Sequence, residues 1–325
     1  MNRRAIVLIA AAHLAGRSAM LRAQPARSVP RIGLLSFGPE PSGVDADPII
    51  GFRQGLNDLG YVEGRNILIE KRYADGKPDQ LSAHVNELVA TRVDVIVTGG
   101  PVPLQFARKA TGTIPIVTIS GSNPVREGWA QTLARPGGNV TGVTVTFPEL
   151  APKQLELLKL AVPEMSRVAV LAAPAEMGEA GLDGGARALG IELIALNISG
   201  PNDIEPAFKF AAASRAQGLY AIATNTIVTH RSKLAELAVN YRLPSISELP
   251  LLANAGFLMS YGADLESLGR RAASYVAKIL SGARAADLPI EQPTRFEFVV
   301  NRKTASLLGM NLSQALLSRA TRVIE

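Results

Sequence analysis

The chain has 325 residues and a mass of 34.3 kDa, a length that allows two domains of ordinary size. Hydrophobic residues make up 47% and charged residues 19% of it, so the composition predicts a packed globular protein and excludes intrinsic disorder. Cysteine is absent, which excludes disulfides, thiolate metal sites and a cysteine nucleophile.

The first residues have the pattern of a secretory signal peptide. Arg3 and Arg4 precede an apolar run at 5–15, and small residues follow near Ala23. We predict that 1–23 is a signal peptide and that the mature protein is periplasmic, without a lipid anchor because no cysteine could carry one. Loss of four arginines would lower the formal charge from +6 to +2, so no nucleic-acid partner is indicated. The alternative is an N-terminal helix that stays attached.

From Arg31 onward, short β-branched runs alternate with helical patterns. The predicted strands are 31–36, 66–73, 94–98 and 114–119, and the predicted helices are 44–59 and 79–90. Trp129 is predicted to pack within a further helix after Pro124. This alternation is typical of a parallel sheet with helices on both faces.

The alternation restarts after the turn-rich segment 135–142 (RPGGNVTG). The predicted helices are 149–161, 178–189, 203–213 and 228–240, and the predicted strands are 167–171, 191–196 and 218–223. A strand at 257–261, a helix at 265–281 and a strand at 295–300 complete the chain. The fold class is therefore α/β, with two Rossmann-like lobes of parallel strands flanked by helices.

Three linkers, at 143–148, 261–264 and 287–294, are predicted to cross between the lobes and to form a hinge. These crossings divide the chain into an N-terminal lobe, 31–145 plus 262–288, and a C-terminal lobe, 146–261 plus 289–325.

Ligands of open α/β sheets bind beyond the carboxyl ends of the strands, so the loops that follow the strands are the candidate site. Their hydroxyls, amides and single carboxylates predict a polar ring around a small solute. The residues are Ser36, Thr98, Ser120, Asn123, Glu176, Thr224, Asn225, Thr226 and Glu248. Phe37 ends the first strand and would cover an apolar part of the ligand or plug the sheet end. The competing interpretation makes the Ser, Thr and Asn residues helix caps and turn formers.

No pattern of a known catalytic site is present. The three histidines are His13, His84 and His230, and no Ser–His–Asp set, metal-ligand spacing or phosphate-binding G-x-x-x-x-G-K occurs. We predict no catalytic residue, no metal and no cofactor. A cleft enzyme with paired carboxylates remains a less favoured alternative.

Four segments carry a family resemblance that runs from about Arg31 to Glu325. They are 52–64 (FRQGLNDLGYVEG), the turn 135–142, 259–262 (MSYG) with Arg270 and Arg271, and 288–300 (LPIEQPTRFEFVV). The chain resembles the substrate-binding proteins of ABC transporters in the family that includes the tryptophan- and tyrosine-uptake receptors, which have the type I periplasmic-binding fold.

The resemblance implies a monomeric receptor whose lobes close on an amino-acid-like or other small organic ligand and then dock on an inner-membrane permease with its cytoplasmic ATPase. A sensor that reports to a membrane kinase is the alternative. Matching positions in the strand-end loops add Gly99, Gly100, Pro124, Met177 and Ser247 to the candidate ligand-binding residues.

One position departs from the family pattern. Aromatic amino-acid receptors of this kind carry Asp-Pro-Val after the fourth strand, where this chain has Asn123, Pro124 and Val125. An amide cannot supply the charge that a ligand ammonium requires. We therefore expect Glu248 or Asp264 to receive the ammonium, with helix N-termini and hydroxyls receiving the carboxylate.

Overall fold

The computed structural model describes residues 29–40, 48–120, 123–144, 150–172 and 181–325. Its first lobe is built on five parallel strands in the order β2-β1-β3-β4-β5. The strands are β1 (Arg31–Ser36), β2 (Leu68–Tyr73), β3 (Val95–Gly99), β4 (Ile116–Ser120) and β5 (Val140–Thr144). The helices that connect them are α1 (Pro48–Asp58), α2 (Pro78–Ala90) and α3 (Pro101–Ala110).

The second lobe is built on seven strands in the order β12-β11-β10-β9-β8-β6-β7. The strands are β6 (Arg167–Ala172), β7 (Glu192–Asn197), β8 (Gly218–Ala221), β9 (Ser245–Ser247), β10 (Met259–Ala263), β11 (Phe296–Asn301) and β12 (Arg322–Ile324). Among the described strands of this sheet, only the pair β10 and β11 is antiparallel, so β6 to β10 all end at the same edge. The edge at which the parallel strands of a lobe end is called here its carboxyl edge.

Helices cover both faces of the second sheet. They are α4 (Leu150–Ala161), α5 (Leu182–Ala188), α6 (Ile204–Ala213), α7 (Asn225–Thr229), α8 (Arg231–Asn240), α9 (Pro250–Ala255), α11 (Arg302–Leu307) and α12 (Gln314–Leu317). Helix α10 (Leu265–Leu280) lies between β10 and β11 in sequence but packs on the first lobe, where Leu265, Leu268 and Ala272 join the core formed by β1 and β3. The predicted class, two α/β lobes with helices on both faces, is confirmed.

Several predicted elements differ from the structure. The segment 140–144, predicted as turn and linker, is strand β5, and α3 was not predicted at all. The predicted helix 228–240 is two helices that meet at His230, whose φ of −101° and ψ of 20° are not helical. The helix expected around Trp129 is wrong, because residues 124–128 form consecutive turns; the tryptophan is nevertheless buried in the core.

Glycines allow α10 to pack very closely against α1. A Cβ on Gly51 would lie 2.1 Å from the carbonyl oxygen of Glu266, and a Cβ on Gly269 would lie 1.9 Å from that of Pro48. Such distances are far inside van der Waals contact, so the two backbones meet without intervening side chains. This contact fixes α10 to the first lobe.

The chain passes between the lobes three times, after β5, at Asp264 and after α10. The first passage, 145–149, lies outside the described residues. The second is immediate, because Ala263 ends β10 and Leu265 begins α10. In the part of the chain that the structure describes, no helix has the length and hydropathy needed to span a membrane.

Candidate functional site

The register of the first sheet aligns the predicted loop residues at its carboxyl edge. Ser36 is paired with Gly99, and Ser120 with Thr144. The N–H of Gly100 donates to the carbonyl of Ile119 at 2.7 Å, which holds the loop after β3 against the end of β4. The structure thus brings these loops together along one edge.

Some predicted residues point into the lobes. Thr98, Ser120 and Ser247 are all 0% exposed, and the hydroxyl of Thr98 donates to that of Thr118 at 2.9 Å. Pro124 is also buried. In this conformation these side chains pack within the lobes, and their contact with a ligand stays a prediction.

The loop at Gly99 and Gly100 faces open space and leads into α3. No atom lies within 4 Å of a Cβ built on either glycine, and Gly100 has a φ of 91°, which favours glycine. Pro101 and Pro103 have no N–H, so Val102 is the donor left in the first three residues of α3. This helix N-terminus can receive one oxygen of a carboxylate rather than several.

Asn123 lies shortly after the end of β4 and closes its own turn. Its Oδ1 accepts from the N–H groups of Val125 and Arg126, at 3.2 and 3.1 Å. The amide oxygen is therefore engaged, and the Nδ2 group remains as a donor toward a carboxylate or carbonyl. Phe37 is half-buried and packs against the core of the first lobe, as the plug interpretation requires, although part of its ring stays accessible.

At the carboxyl edge of the second lobe, Glu248 follows β9. Its carboxylate accepts the N–H of Ala223 at 2.7 Å and the hydroxyl of Ser247 at 3.4 Å. The register pairs Ser247 with Ala221, so the loops after β8 and β9 are neighbours. Glu248 is half-buried, and these bonds hold its carboxylate at the edge of the sheet.

Two other predicted residues act as helix caps. The hydroxyl of Thr224 accepts the N–H of Ile227 at 3.2 Å at the start of α7, whose first residues, Asn225 and Thr226, are half-buried. A carboxylate oxygen of Asp264 accepts the N–H of Ser267 at 3.0 Å at the start of α10. The capping interpretation, which concerns the Ser, Thr and Asn residues, therefore holds for Thr224, and Asp264 caps a helix as well.

A buried polar network beneath Glu248 was not predicted. The hydroxyl of Tyr220 donates to Oε1 of Gln154, and Nε2 of Gln154 donates to the carbonyl of Tyr261 at 2.6 Å. Burial, and secondarily the charge of Glu248, raise the pKa of Tyr220 well above its ordinary value. The tyrosine is therefore a neutral donor at physiological pH. A glutamine in a helical pattern gives no sequence signal for such a role.

The predicted residues Glu176 and Met177 lie outside the described residues. Within the described ranges, no group of three or more His, Cys, Asp or Glu side chains is arranged to hold a metal ion. The described part of the site thus combines amide and backbone donors on the first lobe with the Glu248 carboxylate on the second. This arrangement can hold a small polar solute by hydrogen bonds and one charge.

Two α/β lobes with mainly parallel sheets, joined by three passages of the chain, define the type I periplasmic-binding fold. A family model described as ABC transporter substrate binding protein matches residues 43–324, and the chain belongs to this family. It is therefore a substrate-binding protein of an ABC transporter.

Known proteins agree with this assignment. A tyrosine-binding protein of Clostridioides difficile (strain R20291) is 26% identical over 264 residues, which cover 80% of this chain and 76% of that protein. A conserved domain protein from Vibrio cholerae has a TM-score of 0.81 at 25% identity, covering 91% of this chain and 100% of that one. The ABC domain from Streptococcus pneumonia in complex with L-Trp has a TM-score of 0.83 at 24% identity with the same coverage, which shows the shared fold.

Proposed function

We propose that this protein is an exported periplasmic receptor that closes its two lobes around an amino-acid-like or other small organic solute. The loaded form delivers the solute to an inner-membrane ABC permease driven by a cytoplasmic ATPase. The receptor acts as a monomer and performs no covalent chemistry. Residues 1–23 serve as the signal peptide, which N-terminal sequencing of the mature protein would test.

One observation supports the proposal that the ligand binds in a cleft between the two lobes. Glu291 is hydrogen-bonded to the end of β5 in the first lobe, and the carbonyl of Arg295 accepts the N–H of Asp264 just after β10 in the second. Four residue steps span at most about 14 Å. The carboxyl edges of the two sheets therefore approach each other at the hinge, and a solute between them is within reach of both sets of strand-end loops.

The polar groups at the two edges favour a ligand with an acidic and a basic end. On the first lobe, Val102 N–H and Asn123 Nδ2 are donors suited to a carboxylate. On the second lobe, Glu248 supplies the negative charge for an ammonium. The tyrosine-binding relative from Clostridioides difficile supports an amino acid as the ligand class.

The direct test is mass spectrometry of solute released from freshly purified, denatured protein, followed by calorimetric titration of ligand-free protein with the twenty amino acids. We expect one amino acid or a close relative to be released and to bind again with 1:1 stoichiometry. Conversion of the bound compound to a product on incubation would contradict the receptor and favour an enzyme. No binding of any zwitterionic amino acid would contradict the ligand class.

A further inference from the structure

The segment after α10, residues 288–295, is tied to the first lobe along β5. The hydroxyl of Thr141 donates to the carbonyl of Leu288 at 2.8 Å. The N–H of Glu291 donates to the carbonyl of Gly142 at 3.0 Å, and the carbonyl of Glu291 accepts the N–H of Thr144 at 2.9 Å. This segment, called here the third linker, thus extends the first sheet by a short parallel pairing that ends at Glu291.

An ion pair adds a side-chain tie at the same residue. Both Nε and Nη2 of Arg271 donate to the carboxylate of Glu291, which gives a bidentate pair. The hydroxyl of Tyr275 donates to the carbonyl of Pro289 at 2.5 Å, and the guanidinium of Arg271 lies 5.5 Å from the centre of the Tyr275 ring. Arg271 and Tyr275 both belong to α10, so the third linker is joined to this helix as well as to β5.

The other end of the third linker belongs to the second lobe. The N–H of Asp264 donates to the carbonyl of Arg295 at 3.1 Å, and the next residue pair, Ala263 and Phe296, is in the antiparallel ladder of β10 and β11. Residues 292–294 are left between the two ties. A cavity of about 510 Å³ lies beside them, bounded by the face of α10 that carries Ser267 and Arg271. This cavity gives residues 292–294 room to change conformation.

We propose that Arg271 and Glu291 are positioning residues for closure: their ion pair fixes the first-lobe end of the third linker and confines bending to residues 292–294. The pair thereby sets the resting separation of the lobes and, through it, ligand affinity, without touching the ligand. The proposal rests on the proposed closure around a solute. The fold alone does not require this ion pair, because the backbone hydrogen bonds of Glu291 to β5 would remain without the side-chain contact.

The absence of cysteine allows a ligand-independent test by double electron–electron resonance. Spin labels on Lys77→Cys and Lys209→Cys, two exposed positions on different lobes, report the separation of the lobes. We expect Glu291→Gln to broaden the distance distribution of the ligand-free protein. The matched control is Glu325→Gln, which breaks an exposed Arg–Glu ion pair with Arg302 in the second lobe and should leave the distribution unchanged.

The second readout is affinity for L-tyrosine and L-tryptophan by calorimetry. We expect Glu291→Gln to weaken binding of whichever probe the wild type binds by about two- to fivefold, the range that partly exposed ion pairs support, while Glu325→Gln does not. The unfolding temperature of both variants is measured alongside, so that a loss of stability can be told apart from a change in lobe separation.

The proposal is overturned if Glu291→Gln leaves both the ligand-free distances and the affinity at wild-type values. Should that variant fail to fold, Arg271→Lys, which keeps the charge but not the bidentate geometry, is judged by the same criteria. If the wild type binds neither amino acid, the proposed ligand class is in question, but the ligand-free distances still decide the role of the pair.

Discussion

The side chains at the carboxyl edges show why residue type predicts location better than role. Asn123 and Thr224 were singled out as polar residues after strands and Asp264 as a partner for the ligand ammonium, and all three cap a turn or helix. Caps and ligand contacts both require polar atoms at strand ends, so the sequence cannot separate them. Gln154 is the opposite case: the sequence gives no signal for its role, because its 1% exposure and its hydrogen bonds with Tyr220 and Tyr261 depend on strands far away in sequence.

Glu248 is the carboxylate that we propose receives a ligand ammonium, and Glu248→Gln tests this. The glutamine amide oxygen can still accept from Ala223, so folding should be preserved. We expect affinity for the amino acid ligand to fall at least thirtyfold, about 2 kcal/mol, because a buried charge would lose its partner. Calorimetry with the amino acid and with its deamino analogue is the measurement, and the analogue should bind both proteins equally.

Asp264→Asn is the control for that measurement. Asparagine caps helices as well as aspartate does, so α10 should begin unchanged. Near wild-type affinity is expected, since the carboxylate of Asp264 already caps its helix. A large loss of affinity in Asp264→Asn together with full affinity in Glu248→Gln would mean that Asp264, and not Glu248, receives the ammonium.

Glu291 has a predictable effect on stability at acid pH. The hydrogen bonds from Arg271 hold the pKa of Glu291 below its ordinary value of 4.5. The folded state therefore binds its proton less readily than the unfolded state, so the stabilisation is complete above about pH 4.5 and is lost as the pH falls through the folded pKa. We expect wild type and Glu291→Gln to differ in free energy of unfolding at pH 7, and the difference to shrink as the pH falls below 4.5. Denaturant titrations across this pH range measure the difference; a difference that does not change with pH would show that the charge is not responsible.

At the scale of elements, periodicity identified most helices and strands, and the misses have physical causes. Prolines at 101 and 103 after two glycines are typical of a turn, yet proline is tolerated in the first turn of a helix, where N–H groups lack partners in any case. Strand β5 contains Gly142, which has a φ of 134°. A Cβ built on this residue would lie 2.1 Å from the carbonyl oxygen of Thr118, so no side chain fits there. The glycine that indicated a turn is required by the close approach to β4.

The contact between α1 and α10 predicts the effect of Gly269→Ala. The added methyl would lie 1.9 Å from the carbonyl oxygen of Pro48, and because this atom is backbone, the helices must separate. We expect the free energy of unfolding to fall by about 1–3 kcal/mol, as for other overpacked sites. Urea titration measures the change.

Gly184→Ala in α5 is the matched control for the helix contact. A Cβ at Gly184 meets no atom within 4 Å, and the residue is exposed. Because alanine is the better helix former, this variant should be neutral or more stable by up to about 1 kcal/mol. Equal destabilisation of the two variants would mean that glycine flexibility, rather than the helix contact, is what matters.

At the scale of the whole molecule, the restart of the alternation after residue 142 predicted two lobes, because each sheet needs its own helices. The structure divides the buried apolar residues accordingly. Two clusters flank the first sheet and two flank the second. The predicted crossings placed 262–288, and with it α10, in the N-terminal lobe, but no sequence pattern indicated the glycine contact with α1 that holds the helix there. The extent of lobe closure depends on interactions between the lobes that no sequence pattern encodes.

Separate cores joined by three passages predict that the ligand-free lobes unfold independently. The one tryptophan, Trp129, is buried in the first lobe with Leu35, Ile96 and Leu104, so its fluorescence reports that lobe alone, whereas far-ultraviolet circular dichroism reports both. In guanidinium chloride we expect the two signals to give different midpoints without ligand, because two-state behaviour fails when domains are weakly coupled. Saturating ligand should bring the midpoints together, since a solute held by both lobes is lost when either unfolds. Coincident midpoints in ligand-free protein would instead show that the passages and their hydrogen bonds already couple the lobes strongly. The hinge would then be much stiffer than bending at residues 292–294 predicts.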